Sequence, residues 1–145
     1  MINIPNEIYK KVTELRIKKG SVIKTSLKEI AKPHFYILVS HSAKDNPLLF
    51  VIATSKIDFY DRHPEFNKDI LRIGAKELSV FCKPTIIKCR ELKRISREDL
   101  LRNFLDKKLH FEEDLPPEYI SKIDDIIRRS RLISNEDKEL VLGPS

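Results

Sequence analysis

The sequence is short of several residue types, and each shortage excludes a class of structure. Its 145 residues include three Gly and no Trp, so neither long flexible linkers nor a glycine-rich phosphate-binding loop is expected. The longest apolar runs, Phe35–Val39 and Leu48–Ala53, have five and six residues, whereas a membrane-spanning helix needs about 20. Met1–Lys11 lacks the basic-then-apolar order of a signal peptide. We therefore expect a cytoplasmic protein that does not enter a membrane.

Cysteine is also scarce. The only two, Cys82 and Cys89, lie on either side of Pro84. The reducing cytosol argues against a disulfide between them, and their spacing is not that of a zinc site. We therefore predict no metal and no other cofactor.

Positive charge, by contrast, is in excess. Lys and Arg number 28 against 22 Asp and Glu, for a net charge of +6, and the isoelectric point is about 9.3. Such a balance favours nucleic acid or another polyanion as partner. Hydrophobic residues make up 41% and charged residues 34%, which is typical of a globular chain.

The chain is predicted to form a single domain, 1–145, in three parts. Residues 5–19 form an N-terminal helix with a stripe of Ile8, Val12 and Leu15. Residues 20–95 form a β-barrel core, and residues 96–145 form a helical C-terminal extension. In that extension Ser96 is placed to cap one helix, and Pro116-Pro117 lies in the first turn of another.

The core is predicted from short β-prone runs separated by turn signals such as Asp45-Asn46-Pro47. Several short strands of this kind favour a small barrel or sandwich over a parallel sheet. Asp58–Lys68 is predicted to be a polar loop with aromatic residues. The predicted strands are Ser21–Thr25, Phe35–Ser40, Leu48–Thr54, Ile70–Ile73, Leu78–Cys82 and Thr85–Leu92.

The order of these elements resembles a known family. A strand that begins after Gly20 is followed by an apolar strand ending in Ser40, a strand ending in Thr54-Ser55, the basic strand Ile86–Leu92, and a helix beginning Leu115-Pro116-Pro117-Glu118. This resembles the MazF/PemK/Kid toxins of type II toxin–antitoxin systems, especially their uncharacterised PemK-like relatives. The resemblance implies a mainly β fold with α additions, an SH3-like small barrel with C-terminal helices. It also implies a homodimer, a cognate antitoxin, and metal-independent endoribonuclease activity on single-stranded RNA.

The resemblance extends to individual positions. In the family the second strand opens with Arg-Pro, and that Arg is catalytic; here His34 occupies the place, with Lys32-Pro33 just before it. Thr54 and Ser55 match the family's hydroxyl residues after the third strand. His34, Thr54 and Ser55 are therefore the predicted catalytic residues. His34 acts as base or acid, the hydroxyls hold the phosphate, and Lys32 and Lys56 supply positive charge.

A second group of residues is predicted to contact the RNA backbone. Lys88 and Arg90 alternate on one face of a strand, with Ile87 and Cys89 on the other. Arg can stack on bases, and aromatic residues of the 58–68 loop can add stacking platforms. The predicted RNA-binding set on this strand is Lys88, Arg90, Lys93 and Arg94, with Phe59 and Tyr60 as platforms.

Two other functions stay open. In the first, the barrel is a non-catalytic SH3-like module that binds RNA or protein and has lost the family's catalytic Arg. In the second, the chain is a structural or phage-defence accessory protein whose helices 97–105 and 116–132 mediate assembly.

Overall fold

Six antiparallel strands form the framework of the protein in a computed structural model, which describes residues 16–25 and 34–144. The strand order across the sheet is β4-β5-β3-β2-β1-β6, and every neighbouring pair is antiparallel. The prediction of a mainly β fold with helices is confirmed. The strands are β1 (Val22–Thr25), β2 (His34–Leu38), β3 (Leu48–Thr54), β4 (Ile70–Ile73), β5 (Thr85–Ile95) and β6 (Leu109–Phe111).

Four α-helices complete the described part: α1 (Ile57–Arg62), α2 (Arg97–Leu105), α3 (Pro117–Arg129) and α4 (Asn135–Leu142). A 3-10 turn, Pro64–Phe66, follows α1. The Ser96 hydroxyl accepts a hydrogen bond from the Asp99 amide at 3.0 Å, which confirms the predicted cap of α2. Within the described residues, no helix is long and apolar enough to cross a membrane.

Helices pack on both faces of the sheet, and they cover the central strands β2 and β3 on each side. Residues such as Ile37, Val51 and Ile87 face α3 and α4, while Tyr36 and Phe50 face α2. Side chains alternate between faces along a strand, so a strand covered on both sides is apolar throughout. This explains the continuous apolar runs that predicted β2 and β3.

The sheet is open, not closed into a barrel. Among the described residues, the edge strands β4 and β6 each pair with one neighbour only, β5 and β1 respectively. Strand β6 lies in the helical C-terminal extension, between the first two predicted helices, where the sequence predicted no element. Three residues are too short to show a β pattern, and their pairing with β1 decides their conformation.

Two predictions are wrong. Leu78–Cys82 forms turns instead of a strand, because Leu78 and Phe81 reach the core from a turn in which the Phe81 amide donates to the Leu78 carbonyl at 3.2 Å. Residues 58–68 are not a loop but contain α1 and the 3-10 turn. The predicted helix over residues 5–19 lies almost wholly outside the described residues.

Gly20 joins the N-terminal segment to the sheet. Its φ of +94° lies in the left-handed region that favours glycine, and an added Cβ would collide with the side chain of Ile120 in α3. Its amide donates to the Leu38 carbonyl at 2.8 Å, and its carbonyl accepts from the Leu115 amide at 2.9 Å. Gly20 therefore allows α3 to approach the start of β1 closely.

Candidate functional site

The strand register brings His34 and Thr54 together. His34 begins β2 and Thr54 ends β3, and the last pair between these strands is Phe35 with Ala53. Continuing this register by one residue sets His34 beside Thr54, with side chains on the same face. The prediction that these two residues come from facing ends of paired strands is confirmed.

The same line across the sheet continues to β4. Thr54 pairs with Ile86 of β5, and Ile86 pairs with Arg72 of β4. We refer to His34, Thr54 and Arg72 as the polar row. Sequence reasoning missed Arg72, because only the pairing of β4 with β5 brings it to this line.

Each member of the polar row has a distinct environment. The Thr54 hydroxyl oxygen accepts from the Lys56 amide at 3.2 Å, which leaves the hydroxyl proton free to donate. Arg72 lies 3.1 Å from an Asp61 carboxylate oxygen. His34 is half-buried, and its imidazole has no hydrogen-bond partner in the described ranges.

The remaining predicted residues near the polar row are exposed or not described. Ser55 and Lys56 are exposed in the turn between β3 and α1, and the Ser55 carbonyl accepts from the Ile57 amide at 2.9 Å. Lys32 lies outside the described residues. The structure thus places Thr54 beside His34, and Ser55 and Lys56 follow Thr54 in the chain.

Strand β5 carries the predicted basic residues. Ile87 and Cys89 are buried on one face, and Lys88 and Arg90 line a cavity on the other. The alternation predicted from the sequence is therefore confirmed. The Lys88 ammonium lies 3.7 Å from a Glu91 carboxylate oxygen; within the described part of the chain, the Arg90 guanidinium has neither an ion pair nor a hydrogen bond.

A bulge in β5 between Lys88 and Lys93 sets the faces of the other two basic residues. Phe50 pairs with Lys93 and Ile52 pairs with Lys88, so β5 advances further than β3 between these pairs. Lys93 consequently shares a face with Lys88. Arg94 pairs with Leu49 on the opposite face, where its guanidinium bonds the carboxylate of Asp137 in α4. The prediction that Arg94 belongs to the same basic stripe is wrong.

Aromatic rings and cations meet in a cavity of about 230 Å³ next to the 3-10 turn. We name it the aromatic cavity, lined by Phe59, Phe66, Lys68, Lys88, Arg90 and Glu91, together with Tyr60, Asp69 and Ile70. Phe59 and Phe66 have ring centroids 5.4 Å apart at 36°, and the His63 ring lies 4.6 Å from that of Phe59.

Part of the aromatic cavity was predictable. Phe59 and Tyr60 were predicted as stacking platforms, and both line this cavity. Phe59 is exposed, but Tyr60 is buried, so the prediction of Tyr60 as a platform is wrong. Phe66 and Lys68 were missed. The sequence does contain a pattern that indicates this cluster. Phe59, His63 and Phe66 follow helical spacing, which places their rings on one side of a helical segment.

The polar row and the aromatic cavity are neighbours on one face of the sheet. Lys88 lies one strand across from Thr54 and two residues along, because Thr54 pairs with Ile86. At about 4.8 Å between strands and 3.4 Å per residue, the two Cα atoms are about 8 Å apart. A short extended chain can therefore contact both.

The cysteines do not contribute to this surface. Both are free; Cys82 is exposed and Cys89 is buried. Burial, followed by the nearby Asp69 carboxylate, raises the pKa of the Cys89 thiol to about 12. Among residues 16–25 and 34–144, no group of three or more His, Cys, Asp or Glu is arranged to hold a metal ion.

No protein-family model and no curated protein matches this chain. Function therefore has to be inferred from the residues and their arrangement.

Proposed function

We propose that this protein is a PemK-like, toxin-type endoribonuclease that binds single-stranded RNA across one sheet face and cleaves it without a metal ion. In this proposal the open sheet corresponds to the SH3-like barrel of the MazF/PemK/Kid toxins. The observation that carries it is the placement of His34 and Thr54 side by side, with the cationic Lys88 about 8 Å from Thr54 on the same face.

The chemistry requires one proton acceptor and a set of hydrogen-bond donors. The His34 imidazole takes the proton of a ribose 2′-hydroxyl, and the 2′-oxygen attacks the adjacent phosphorus. The bond from phosphorus to the 5′-oxygen breaks, and that oxygen takes a proton from solvent. The products are a 2′,3′-cyclic phosphate and a 5′-hydroxyl.

Hydroxyls and cations next to His34 stabilise the charge that develops on the phosphate. The Thr54 hydroxyl already accepts from the Lys56 amide, so its proton is available to a phosphate oxygen. Ser55 and Lys56 are exposed beside it, and the Lys56 ammonium supplies positive charge. In this proposal Lys32 supplies further positive charge to the same phosphate.

Affinity for the RNA backbone comes from strand β5. Lys88, Arg90 and Lys93 lie on the face that carries the polar row, where they neutralise phosphates and release counterions. The proposal also includes a homodimer and a cognate antitoxin, both of which the family resemblance implies.

The direct test is cleavage of single-stranded RNA by purified protein in EDTA. We expect 2′,3′-cyclic phosphate ends from the wild-type protein and none from His34→Ala. His110→Ala is the matched control, because His110 is exposed on the edge strand β6. Intact RNA after incubation with the wild-type protein, or equal cleavage by His34→Ala, would refute the proposed activity.

One observation favours a second candidate, a module that binds RNA without cutting it. The place of the family's catalytic Arg is taken by His34, and no hydrogen-bond partner among the described residues orients its ring. In that case the protein binds RNA with a steep salt dependence, and Arg90→Glu with Lys93→Glu abolishes binding. Unchanged affinity of this double variant would exclude the binding module.

A further inference from the structure

Two aromatic side chains are left exposed at one place. Phe59 is 47% exposed and Phe66 39%, and the other large hydrophobics with comparable exposure in the described part are aliphatic: Leu132 and Leu140. Exposing adjacent rings forgoes the free energy of burying them. A cluster of this kind on a charged protein indicates a surface that becomes covered by a ligand.

The size of the aromatic cavity limits what covers these rings. Its volume of about 230 Å³ lies below the range of about 300–1,000 Å³ of drug-sized ligand sites. It therefore accommodates one planar ring system. Lys68 and Arg90 line the same cavity, and neither has an ion pair among the described residues. An aromatic ring attached to a phosphate fits both the volume of the cavity and the positive charge of these two side chains.

Glu91 adds a pair of hydrogen-bond acceptors to the wall. Its side chain is 48% exposed, and Lys88 lies 3.7 Å from one oxygen, too far for a hydrogen bond. Both carboxylate oxygens therefore keep their capacity to accept. Guanine presents two adjacent N–H donors on its Watson–Crick edge, whereas adenine and cytosine present one amino group there and uracil one N–H between two acceptors.

We propose that the aromatic cavity binds one unpaired base of the RNA by stacking on Phe59 and Phe66, and that Glu91 selects guanine. Arg90 and Lys68 hold the phosphates that flank this base. This inference rests on the proposed function, since it assigns the base specificity of the same RNA-binding face. It does not depend on whether the phosphodiester is cut.

Fluorescence anisotropy with short labelled RNAs tests the stacking. The probes are an oligouridine of about eight nucleotides and the same strand with a single central G, A or C, all measured in the His34→Ala background to prevent cleavage. Phe59→Ala is expected to weaken binding of the G-containing strand about five- to 150-fold, the range that loss of one base–aromatic stack produces. Phe59→Tyr keeps the ring and should bind as tightly as the parent.

The same probes test base selection. The parent should prefer the strand with G over the strand with A or C by about five-fold or more, the discrimination typical of a two-point hydrogen bond. Glu91→Gln should reduce this ratio to about one without weakening the oligouridine. Circular dichroism and thermal melts confirm that each variant is folded, and Leu132→Ala controls for loss of an exposed apolar side chain.

The possible failures are distinguishable. If RNA binds but Phe59→Ala equals the parent, or the preference for G is absent or persists in Glu91→Gln, this inference is wrong and the proposed function stands. If no probe binds even at low salt, both are wrong.

Discussion

Neighbouring residues of β5 point to opposite faces of the sheet, and this leads to a quantitative prediction for RNA binding. Lys56, Lys88, Arg90 and Lys93 are the described cations of the predicted set near the RNA-binding face, whereas Arg94 points to the other face and bonds Asp137. Arg90→Gln should therefore weaken the electrostatic part of RNA binding, and Arg94→Gln should leave it unchanged.

The magnitude follows from counterion release. Each phosphate contact with single-stranded nucleic acid contributes about 0.7 to the slope of log affinity against log salt concentration. These four cations by themselves contribute a slope of about −2.8, or about a 50-fold loss of affinity between 50 and 200 mM salt. With Arg90 removed the slope becomes about −2.1, and the loss over the same range falls to about 20-fold.

Anisotropy titrations at several salt concentrations measure these slopes directly. Arg90→Gln and Arg94→Gln remove the same charge from the same strand, so they are matched in net charge and chemistry. Arg94→Gln also breaks the ion pair with Asp137, whose side chain is 16% exposed, and a thermal melt registers the loss of stability. Equal slopes for the two variants, or a smaller slope for Arg94→Gln, would refute the assignment of faces.

Three further predictions concern stability and reactivity. Ile127→Ala should lower the free energy of unfolding by about 2–5 kcal/mol, because Ile127 is fully buried in α3; a change below about 1 kcal/mol in urea unfolding would contradict its core position. The Tyr119 hydroxyl donates to a Glu77 carboxylate oxygen at 2.6 Å and lowers the pKa of Glu77 from its ordinary 4.5, so this stabilisation is present above pH 4.5 and is lost as the pH falls. Tyr119→Phe should therefore be less stable than wild type at about pH 6 and differ less at about pH 3.5, and an equal difference at both would count against the bond. Iodoacetamide should label Cys82 in the folded protein and Cys89 only after unfolding, since Cys89 is buried with a pKa raised to about 12; mass spectrometry that finds Cys89 labelled in the native state would contradict this.

Local chemistry made much of the fold predictable. The apolar runs of β2 and β3 indicated strands because they are too short for helices. Ser96 marked the start of α2 because its hydroxyl satisfies a free amide of the first turn. The alternation of Ile87 and Cys89 with Lys88 and Arg90 indicated which side of β5 is buried, since side chains alternate along any strand.

In two places the local sequence pattern did not predict the observed structure. Leu78 and Phe81 were predicted to belong to a strand because they are apolar, but a turn buries them equally well. Strand β6 is too short to carry a pattern, and its conformation depends on hydrogen bonds to β1. For β6 the deciding contacts come from a segment distant in sequence.

The same distinction between local and distant contacts applies to the candidate site. By itself the sequence determined that His34 opens one apolar strand, that Thr54 closes the next, and that β5 is basic, because these are properties of single segments. Only the tertiary structure decided which of these residues meet. The bulge in β5 turns Arg94 away from the face that carries Lys88 and places Lys93 on that face, and the pairing of β4 with β5 brings Arg72 into the polar row. Register and bulges depend on the fit between whole strands, and no single segment encodes that fit.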